Sequence, residues 1–136
     1  MTDTYTLHPH PPAPDEYRRL RAVSGLSPKS AEMAARGLPN SICGVTVLHE
    51  GRAVGMGRVI GDGGTSYQIV DIAVAPAHHR RGLGRRIMAA LMERLAEIGP
   101  PGAYVSLIAD RPADQLYAQF GFEDTAPASI GMARYL

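Results

Sequence analysis

The feature that most constrains this chain is a change of hydrophobic period between residues 67 and 98. Residues 67–76, YQIVDIAVAP, are rich in β-branched side chains and end at a proline, which predicts a strand. From Gly82 to Ile98 the apolar residues recur at helical spacing instead. That stripe consists of Leu83, Ile87, Met88, Leu91, Leu95 and Ile98. Between the two patterns lies HHRRGLGRR, residues 78–86, so a strand, a basic turn and a helix must follow one another.

The rest of the chain divides into short elements by the same criteria of period, caps and breakers. Pro14 suits the first turn of a helix that Gly25 ends. Ser27 is expected to cap a second helix, with Pro28 at its first position and Gly37 at its end. Strands are predicted at 4–8, 41–50, 53–60, 103–110, 121–125 and 129–136, tight turns at 51–52 and 61–66, and a short helix at 112–120.

The order of these elements predicts the fold class. A chain of 136 residues fits a single domain, 1–136. The three strands between residues 41 and 76 are joined by short turns, which predicts an antiparallel meander, and the strand–turn–helix–strand that follows is a βαβ unit. We therefore expect an α+β (mixed α/β) fold, with a mixed, mostly antiparallel sheet and helices on both faces.

Composition argues against several classes of protein. The formal net charge is +1 and 20% of the residues are charged, which disfavours a nucleic-acid-binding protein. No apolar run approaches a membrane span, and the N-terminus lacks the pattern of a signal peptide. Cys43 is the one cysteine and lies in a predicted strand, which favours a structural thiol over a nucleophile and a reducing, cytoplasmic location. His8 and His10 have no third ligand nearby, so no metal is expected.

The glycine–arginine segment has two interpretations, a solvated basic turn and a phosphate-binding turn. It precedes a helix, whose first N–H groups are unpaired and carry partial positive charge. Glycines let an anion approach the backbone, and arginines add donors suited to phosphate. Ile87 stands where a dinucleotide-binding fingerprint needs a third glycine, and the Gly-Lys-Ser/Thr ending of a P-loop is absent. The segment therefore suits phosphate but matches neither standard nucleotide motif.

Two motifs resemble the GNAT N-acetyltransferase superfamily. VDIAVAPAHHRRGLGRRIM is similar to the family's V-x-P, Q/R-x-x-G-x-G/A segment, with His79 at the position where Gln or Arg is usual. ADRPADQLYAQFGFE is similar to the family's N-x-x-A-x-x-L-Y-x-x-x-G-F segment, with Asp110 at the position where Asn is commoner. The resemblance covers residues 41–124 well, and the first 40 residues match only in outline.

The resemblance implies acetyl-CoA as cosubstrate and a splayed central strand pair in a GNAT-like sheet. Pantetheine would bond to the backbone of the third meander strand, and the pyrophosphate would lie at the basic turn. The implied cofactor-binding residues are Ile72, Ala73, Val74, His79, Arg80, Arg81, Gly82, Leu83, Gly84, Arg85 and Asp110. Arg80 and Arg81 are the arginines expected at the phosphates. The side chains of residues 72–74 are expected in the core, because the cofactor would use their main-chain atoms.

The resemblance also implies catalytic residues. Tyr117 is the expected general acid, because a tyrosine with an ordinary pKa of about 10 is protonated at neutral pH and can protonate a departing thiolate; its alternative role is ring packing. Asp71 is a candidate general base acting through water, and a structural hydrogen bond is the alternative. Glu16 and Glu32 either bind a cationic acceptor or are exposed helix charges. His78 belongs to the phosphate end.

The expected function is transfer of the acetyl group of acetyl-CoA to a primary amine of a small molecule by direct attack. Two alternatives remain: a protein lysine or N-terminal acetyltransferase, and a non-catalytic acyl-CoA-binding sensor. Nucleic acid and membrane are not expected as partners. A homodimer is a further expectation, because a C-terminal strand often lies at a dimer interface in this family.

Overall fold

A computed structural model describes residues 4–136. The strands are β1 (Thr6–His8), β2 (Cys43–His49), β3 (Arg52–Gly61), β4 (Ser66–Val74) and β5 (Tyr104–Leu107). The helices are α1 (Pro14–Val23), α2 (Ala31–Gly37), α3 (Leu83–Ile98) and α4 (Asp114–Ala118). Short 3₁₀ turns follow α2 and β4, at Leu38–Asn40 and Pro76–His78.

The five strands form one mixed sheet in the order β1-β2-β3-β4-β5. The first three pairings are antiparallel and β4 pairs with β5 in parallel. The antiparallel meander and the βαβ unit predicted from the sequence are therefore confirmed. The hairpin between β2 and β3 turns at Glu50 and Gly51, whose φ angles are 52° and 77°. The turn thus lies one residue before the predicted position, 51–52.

Helices cover both faces of the sheet, as predicted. On one face α3 packs its apolar stripe on the meander, and Ile87 and Met88 have no exposed surface. On the other face α1 and α2 bury Leu20 and Ala34 against Met56 and Ala73 of the sheet. Burying both faces of the sheet supplies the main driving force for folding, since burial contributes roughly 25 cal/mol per Å² of apolar surface.

The sheet opens between β4 and β5. Their parallel ladder pairs Ser66–Ile69 with Tyr104–Leu107 and ends there, whereas β4 continues to Val74. Beyond the ladder β4 carries a bulge, because Met56 and Arg58 of β3 pair with Ala73 and Val70 of β4. Three steps along β4 therefore match two along β3. The predicted splay is present between β4 and β5, but this pair lies at the edge of the described sheet, because the strands predicted after β5 are absent.

The second helix begins later than its sequence pattern predicts. Ser30, not Ser27, is its N-cap, and the Ser30 side chain accepts a hydrogen bond from the Met33 N–H. Ser27 has another role, because both its carbonyl and its hydroxyl oxygen accept hydrogen bonds from the Arg21 guanidinium. Both serines match a capping pattern, and the Ser27 side chain is taken up by Arg21 of α1, so Ser30 starts the helix.

The predicted strands at 121–125 and 129–136 are wrong, because no residue after Ala118 is part of a strand. The predicted strand at 103–110 shortens to β5, and the predicted helix at 112–120 shortens to α4. The C-terminal residues Ile130, Met132, Tyr135 and Leu136 are exposed instead of paired. Within residues 4–136, no helix is both long enough and apolar enough to cross a membrane.

Candidate active site

A cleft of about 460 Å³ opens where β4 and β5 separate, and we call it the strand cleft. Its first wall is β4, from Ile69 to Ile72, and its second wall is formed by Leu107, Ile108, Asp110 and Tyr117. Arg21 of α1 and residues 25–27 of the following loop line its rim. The volume is in the range of roughly 300–1,000 Å³ that small-ligand sites occupy.

The β4 wall presents a carboxylate that is already fully engaged. Asp71 accepts hydrogen bonds from the Tyr17 hydroxyl at 2.9 Å, from Arg21 Nη1 at 2.6 Å and from Arg58 Nε at 2.6 Å. Its side chain is 11% exposed, and those of Arg21 and Arg58 are 7% and 16% exposed. Of the two roles that the sequence left open for Asp71, the structural hydrogen-bonding role is therefore present.

This network also supports an unusual backbone conformation. Asp71 lies in the bulge of β4 with a φ of 61°, a left-handed conformation that costs an ordinary residue energy. The Tyr17 ring lies beside both guanidinium groups, with centroid distances of 5.7 Å to Arg21 and 5.8 Å to Arg58. Burial, followed by the negative charge and hydrogen bond of Asp71, raises the pKa of the Tyr17 hydroxyl. The cluster joins α1, β3 and β4 beneath the cleft.

The opposite wall carries two uncommitted polar groups, Tyr117 and Asp110. Tyr117 is buried with its ring against the core on the α3 face, yet it lines the cleft. Among the described residues no group hydrogen-bonds to its hydroxyl or to the carboxylate of Asp110, which is exposed. Burial, and then the negative charge of Asp110, raises the pKa of Tyr117. Tyr117 therefore combines ring packing with a free hydroxyl that holds its proton at neutral pH.

The basic turn leads into the N-terminus of α3 as predicted. Gly82 is the N-cap with a φ of 74°, and no side chain among residues 4–136 caps this end of the helix. The first helical hydrogen bond runs from the Arg86 N–H to the Gly82 carbonyl, so the N–H groups of residues 83–85 precede it. The first turn holds no acidic residue, and Arg80, Arg81, Arg85 and Arg86 are exposed. This end of the helix is electropositive, which suits an anion.

The two glycines of the turn serve different geometric needs. A Cβ at Gly82 would meet only open space, but the position needs a positive φ. Gly84 has ordinary geometry, and a Cβ there would lie 3.2 Å from Leu116 Cδ2 of α4. The second glycine therefore allows α4, and with it Tyr117, to approach the start of α3.

His79 binds the end of β4 in this structure. Its Nε2 donates to the Val74 carbonyl oxygen at 2.8 Å, which ties the turn to the strand. The side chains of Ile72 and Val74 pack against the core on the α3 face, and Ala73 packs on the opposite face. The core placement expected for residues 72–74 is thus confirmed for their side chains.

Several residues singled out in the sequence lie away from the strand cleft. His78 packs with Tyr5 and His49, and its Nδ1 is 2.8 Å from the Tyr5 hydroxyl. Glu16 pairs with Arg19 and accepts a hydrogen bond from the Ala53 N–H, and Glu32 forms an exposed pair with Arg36. Burial raises the pKa of the Cys43 thiol on β2, which disfavours a nucleophilic thiolate. Within residues 4–136, no three His, Cys, Asp or Glu side chains form a group that could hold a metal ion.

Residues 4–122 of the chain match the Acetyltransferase (GNAT) family. The chain belongs to the GNAT acetyltransferases. As a GNAT enzyme it has a sheet that opens between a strand leading into a glycine-rich turn, β4, and the following parallel strand, β5. No curated protein matches the sequence.

Solved GNAT structures share this architecture. A protein of unknown function from meticillin-resistant Staphylococcus aureus is 44% identical over 98% of this chain and 100% of its own, with a TM-score of 0.93. A GNAT family acetyltransferase from Streptococcus pneumoniae is 23% identical over 98% of both chains, with a TM-score of 0.76. Glucosamine-6-phosphate N-acetyltransferase from Arabidopsis thaliana is 18% identical over 98% of this chain and 99% of its own, with a TM-score of 0.75. The last two likenesses concern the fold.

The residues present fit acetyl-CoA, the acyl donor that the family generally uses. The basic, uncapped start of α3 suits a diphosphate, and β4 continues past its ladder beside a cleft large enough for an acyl arm. Tyr17, Arg21 and Arg58, which hold the β4 wall, were not predicted from the sequence. The available signal was Arg58, a charged residue inside an otherwise apolar strand.

Proposed function

We propose that this protein transfers the acetyl group of acetyl-CoA to a primary amine of a small molecule. One observation carries the proposal. The Tyr117 hydroxyl, which is free of hydrogen bonds from the described residues, lines the strand cleft together with the part of β4 that does not pair with β5. The same strand leads through the basic turn to the N-terminus of α3. The limited volume of the cleft and the loop at 25–27 on its rim favour a small acceptor over a folded protein surface.

The cofactor-binding assignment follows the same geometry. The main-chain groups of Ile72, Ala73 and Val74 would bind the pantetheine arm, and the N–H groups at Gly82, Leu83, Gly84 and Arg85 would bind the diphosphate. Arg80 and Arg81 add guanidinium donors from the turn, where both are exposed. His79 would act through the Val74 carbonyl, to which its ring already donates. Asp110 lies at the reacting end of the arm, because it lines the cleft with Tyr117.

The chemistry needs an electrophilic thioester, a neutral amine and a proton for the leaving sulfur. Acetyl-CoA supplies the thioester. Tyr117 is the general acid: its raised pKa keeps the hydroxyl protonated, and that proton passes to the thiolate as the carbon–sulfur bond breaks. Asp71 was a candidate base, but a proton on its carboxylate would remove the charge that two guanidinium groups pair with. We therefore assign Asp71 to holding the cleft wall.

Binding and turnover test the proposal separately. Isothermal titration calorimetry should show acetyl-CoA binding, and replacing Arg80 and Arg81 together by Ala should weaken it by about tenfold, about 1.4 kcal/mol. Arg134→Ala is the control, since Arg134 is equally exposed but lies in the C-terminal segment. A panel of amines and peptides, followed by thiol release, should then reveal an acceptor among the small amines.

Each result has a distinct meaning. Absence of acetyl-CoA binding would overturn the proposal altogether. Tight binding without transfer to any acceptor would indicate an acyl-CoA sensor. Transfer to peptides alone would indicate a protein acetyltransferase.

We also propose that the protein forms a homodimer through its C-terminal segment. β5 is the edge strand of the described sheet; Ile108, which follows it, and Ile130, Met132 and Leu136 of the C-terminal segment are exposed apolar residues. A second copy would cover this apolar surface. Light scattering should give twice the mass of one chain, and a single-chain mass at all concentrations would contradict the dimer.

A further inference from the structure

The strand cleft has two carboxylates, and only one of them is free to accept a proton. Asp71 already accepts hydrogen bonds from Tyr17, Arg21 and Arg58. Asp110 accepts none at its carboxylate from the described residues. The other ionisable side chains that line the cleft are the guanidinium of Arg21, which only donates hydrogen bonds, and Tyr117, whose raised pKa keeps its proton on the hydroxyl. Asp110 is therefore the uncommitted proton acceptor of the cleft.

We propose that Asp110 is the general base, taking the proton from the ammonium group of the acceptor. The inference rests on the proposed acetyltransferase function and adds a catalytic residue to it. An ionised carboxylate can only accept hydrogen bonds, so it suits an ammonium group that donates them.

The protons and electrons of the reaction balance with this assignment. The ammonium group gives one proton to Asp110, directly or through one water, and the neutral nitrogen attacks the thioester carbon. The carbon–sulfur bond breaks, the sulfur takes the Tyr117 proton, and the phenolate recovers a proton from the acylated nitrogen. The one proton left on Asp110 then passes to bulk water, which reaches this exposed side chain.

The surroundings of Asp110 support a role in the cleft. Its carbonyl accepts a hydrogen bond from the Ala113 N–H, which fixes the backbone at the start of α4. Its charge contributes to the raised pKa of Tyr117, so the two side chains interact electrostatically. Arg111 and Asp114, which follow it in sequence, line a neighbouring cavity that shares Leu107, Ile108 and Tyr117 with the strand cleft. Asp110 is the carboxylate of this segment that lines the strand cleft itself.

The test compares two kinds of acceptor with acetyl-CoA as donor. Hydroxylamine is largely neutral just above neutral pH, and its attack needs no base. The second acceptor is the fastest primary alkylamine from a panel containing spermidine, agmatine and lysine, whose alkylammonium groups are protonated at that pH. Asp110→Asn should lower kcat with the alkylamine by about 10²- to 10³-fold and reduce the hydroxylamine rate far less.

Two further readouts separate catalysis from structure. In Asp110→Asn the alkylamine rate should increase in proportion to hydroxide concentration, because the amine must then lose its proton in solution, and Asp110→Glu should restore part of the rate. Asp114→Asn removes the same charge from the first turn of α4 and should leave the ratio of the two rates unchanged.

The contradicting results are also distinct. Equal loss with both acceptors, or no loss with either, would overturn the role of Asp110. An acceptor-dependent loss in Asp71→Asn instead would assign the base to β4. A wild-type protein that acetylates no amine would overturn both this inference and the proposed function.

Discussion

The two walls of the strand cleft each carry one acidic residue, and the structure treats these residues differently. On β4, Asp71 is nearly buried and is held by two arginines and a tyrosine. On the opposite wall, Asp110 is exposed and Tyr117 has a free hydroxyl. A carboxylate fixed by buried cations maintains a shape, whereas an unpaired one can exchange protons. The comparison teaches that a position in the lining of a cleft does not make a residue catalytic. A carboxylate can act as a base only if its oxygens are not already occupied by structural hydrogen bonds.

The largest expected effect is a loss of kcat, and it concerns Tyr117 on the wall opposite β4. Tyr117→Phe keeps the buried ring and removes the acid, so kcat should fall by about 10²- to 10⁴-fold while acetyl-CoA affinity changes little. Steady-state kinetics and calorimetry measure the two quantities. Tyr104→Phe is the control, because Tyr104 is exposed on β5 outside the cleft. Full activity in Tyr117→Phe would mean that the hydroxyl has no catalytic role.

On the β4 wall the expected effect is on stability. Asp71→Asn leaves the buried guanidinium groups of Arg21 and Arg58 without a negative partner, which should lower the free energy of unfolding by about 3–5 kcal/mol. Urea denaturation measures this change. Glu32→Gln, which breaks an exposed pair with Arg36, should cost less than about 1 kcal/mol. If the Asp71→Asn variant were as stable as wild type yet inactive, Asp71 would have a catalytic role instead of the structural role assigned here.

A smaller effect is expected where the basic turn enters α3. Gly82→Ala forces a side chain into a left-handed conformation and should cost about 1–2 kcal/mol of stability. Gly37→Ala is a matched control, because Gly37 also has open space but has a negative φ of −83°. Thermal unfolding of the two variants measures the difference. Equal behaviour of both variants would show that the backbone of the turn adapts without strain.

The smallest expected effect is on alkaline stability. Burial raises the pKa of both Tyr17 and Tyr117 in the folded protein. As pH rises above the ordinary tyrosine pKa of about 10, the unfolded chain loses these protons before the folded chain does, so the free energy of unfolding falls. Urea denaturation across this pH range should show the fall, and Tyr17→Phe should make it shallower. An unchanged pH dependence in Tyr17→Phe would contradict the effect of burial.

The sequence predicts the region from β4 to α3 well, because its signals are local. The β-branched run, Pro76 and the stripe from Leu83 to Ile98 each depend on neighbouring residues, and the strand, turn and helix form as expected. Tyr117 and Asp71, which were singled out through the two motifs, line the same cleft. Local pattern was enough here because period and breakers fix these elements.

The errors lie where contacts with other elements decide. Ser27 matches a helix cap, but it binds Arg21 of α1. The segment 129–136 alternates like a strand, yet a strand also needs a partner edge, which pattern does not supply. Tyr17 and Arg21 both hydrogen-bond to Asp71, but they lie 54 and 50 positions before it in the sequence. Sequence spacing therefore could not reveal that the carboxylate oxygens of Asp71 are occupied.

A crystal structure of the complex with acetyl-CoA tests the central claim most directly. We predict the diphosphate at the N–H groups that begin α3, and the thioester in the strand cleft within hydrogen-bonding reach of the Tyr117 hydroxyl and on the side of Asp110. A thioester that lies beyond reach of Tyr117, or a diphosphate bound away from the basic turn, would contradict the account.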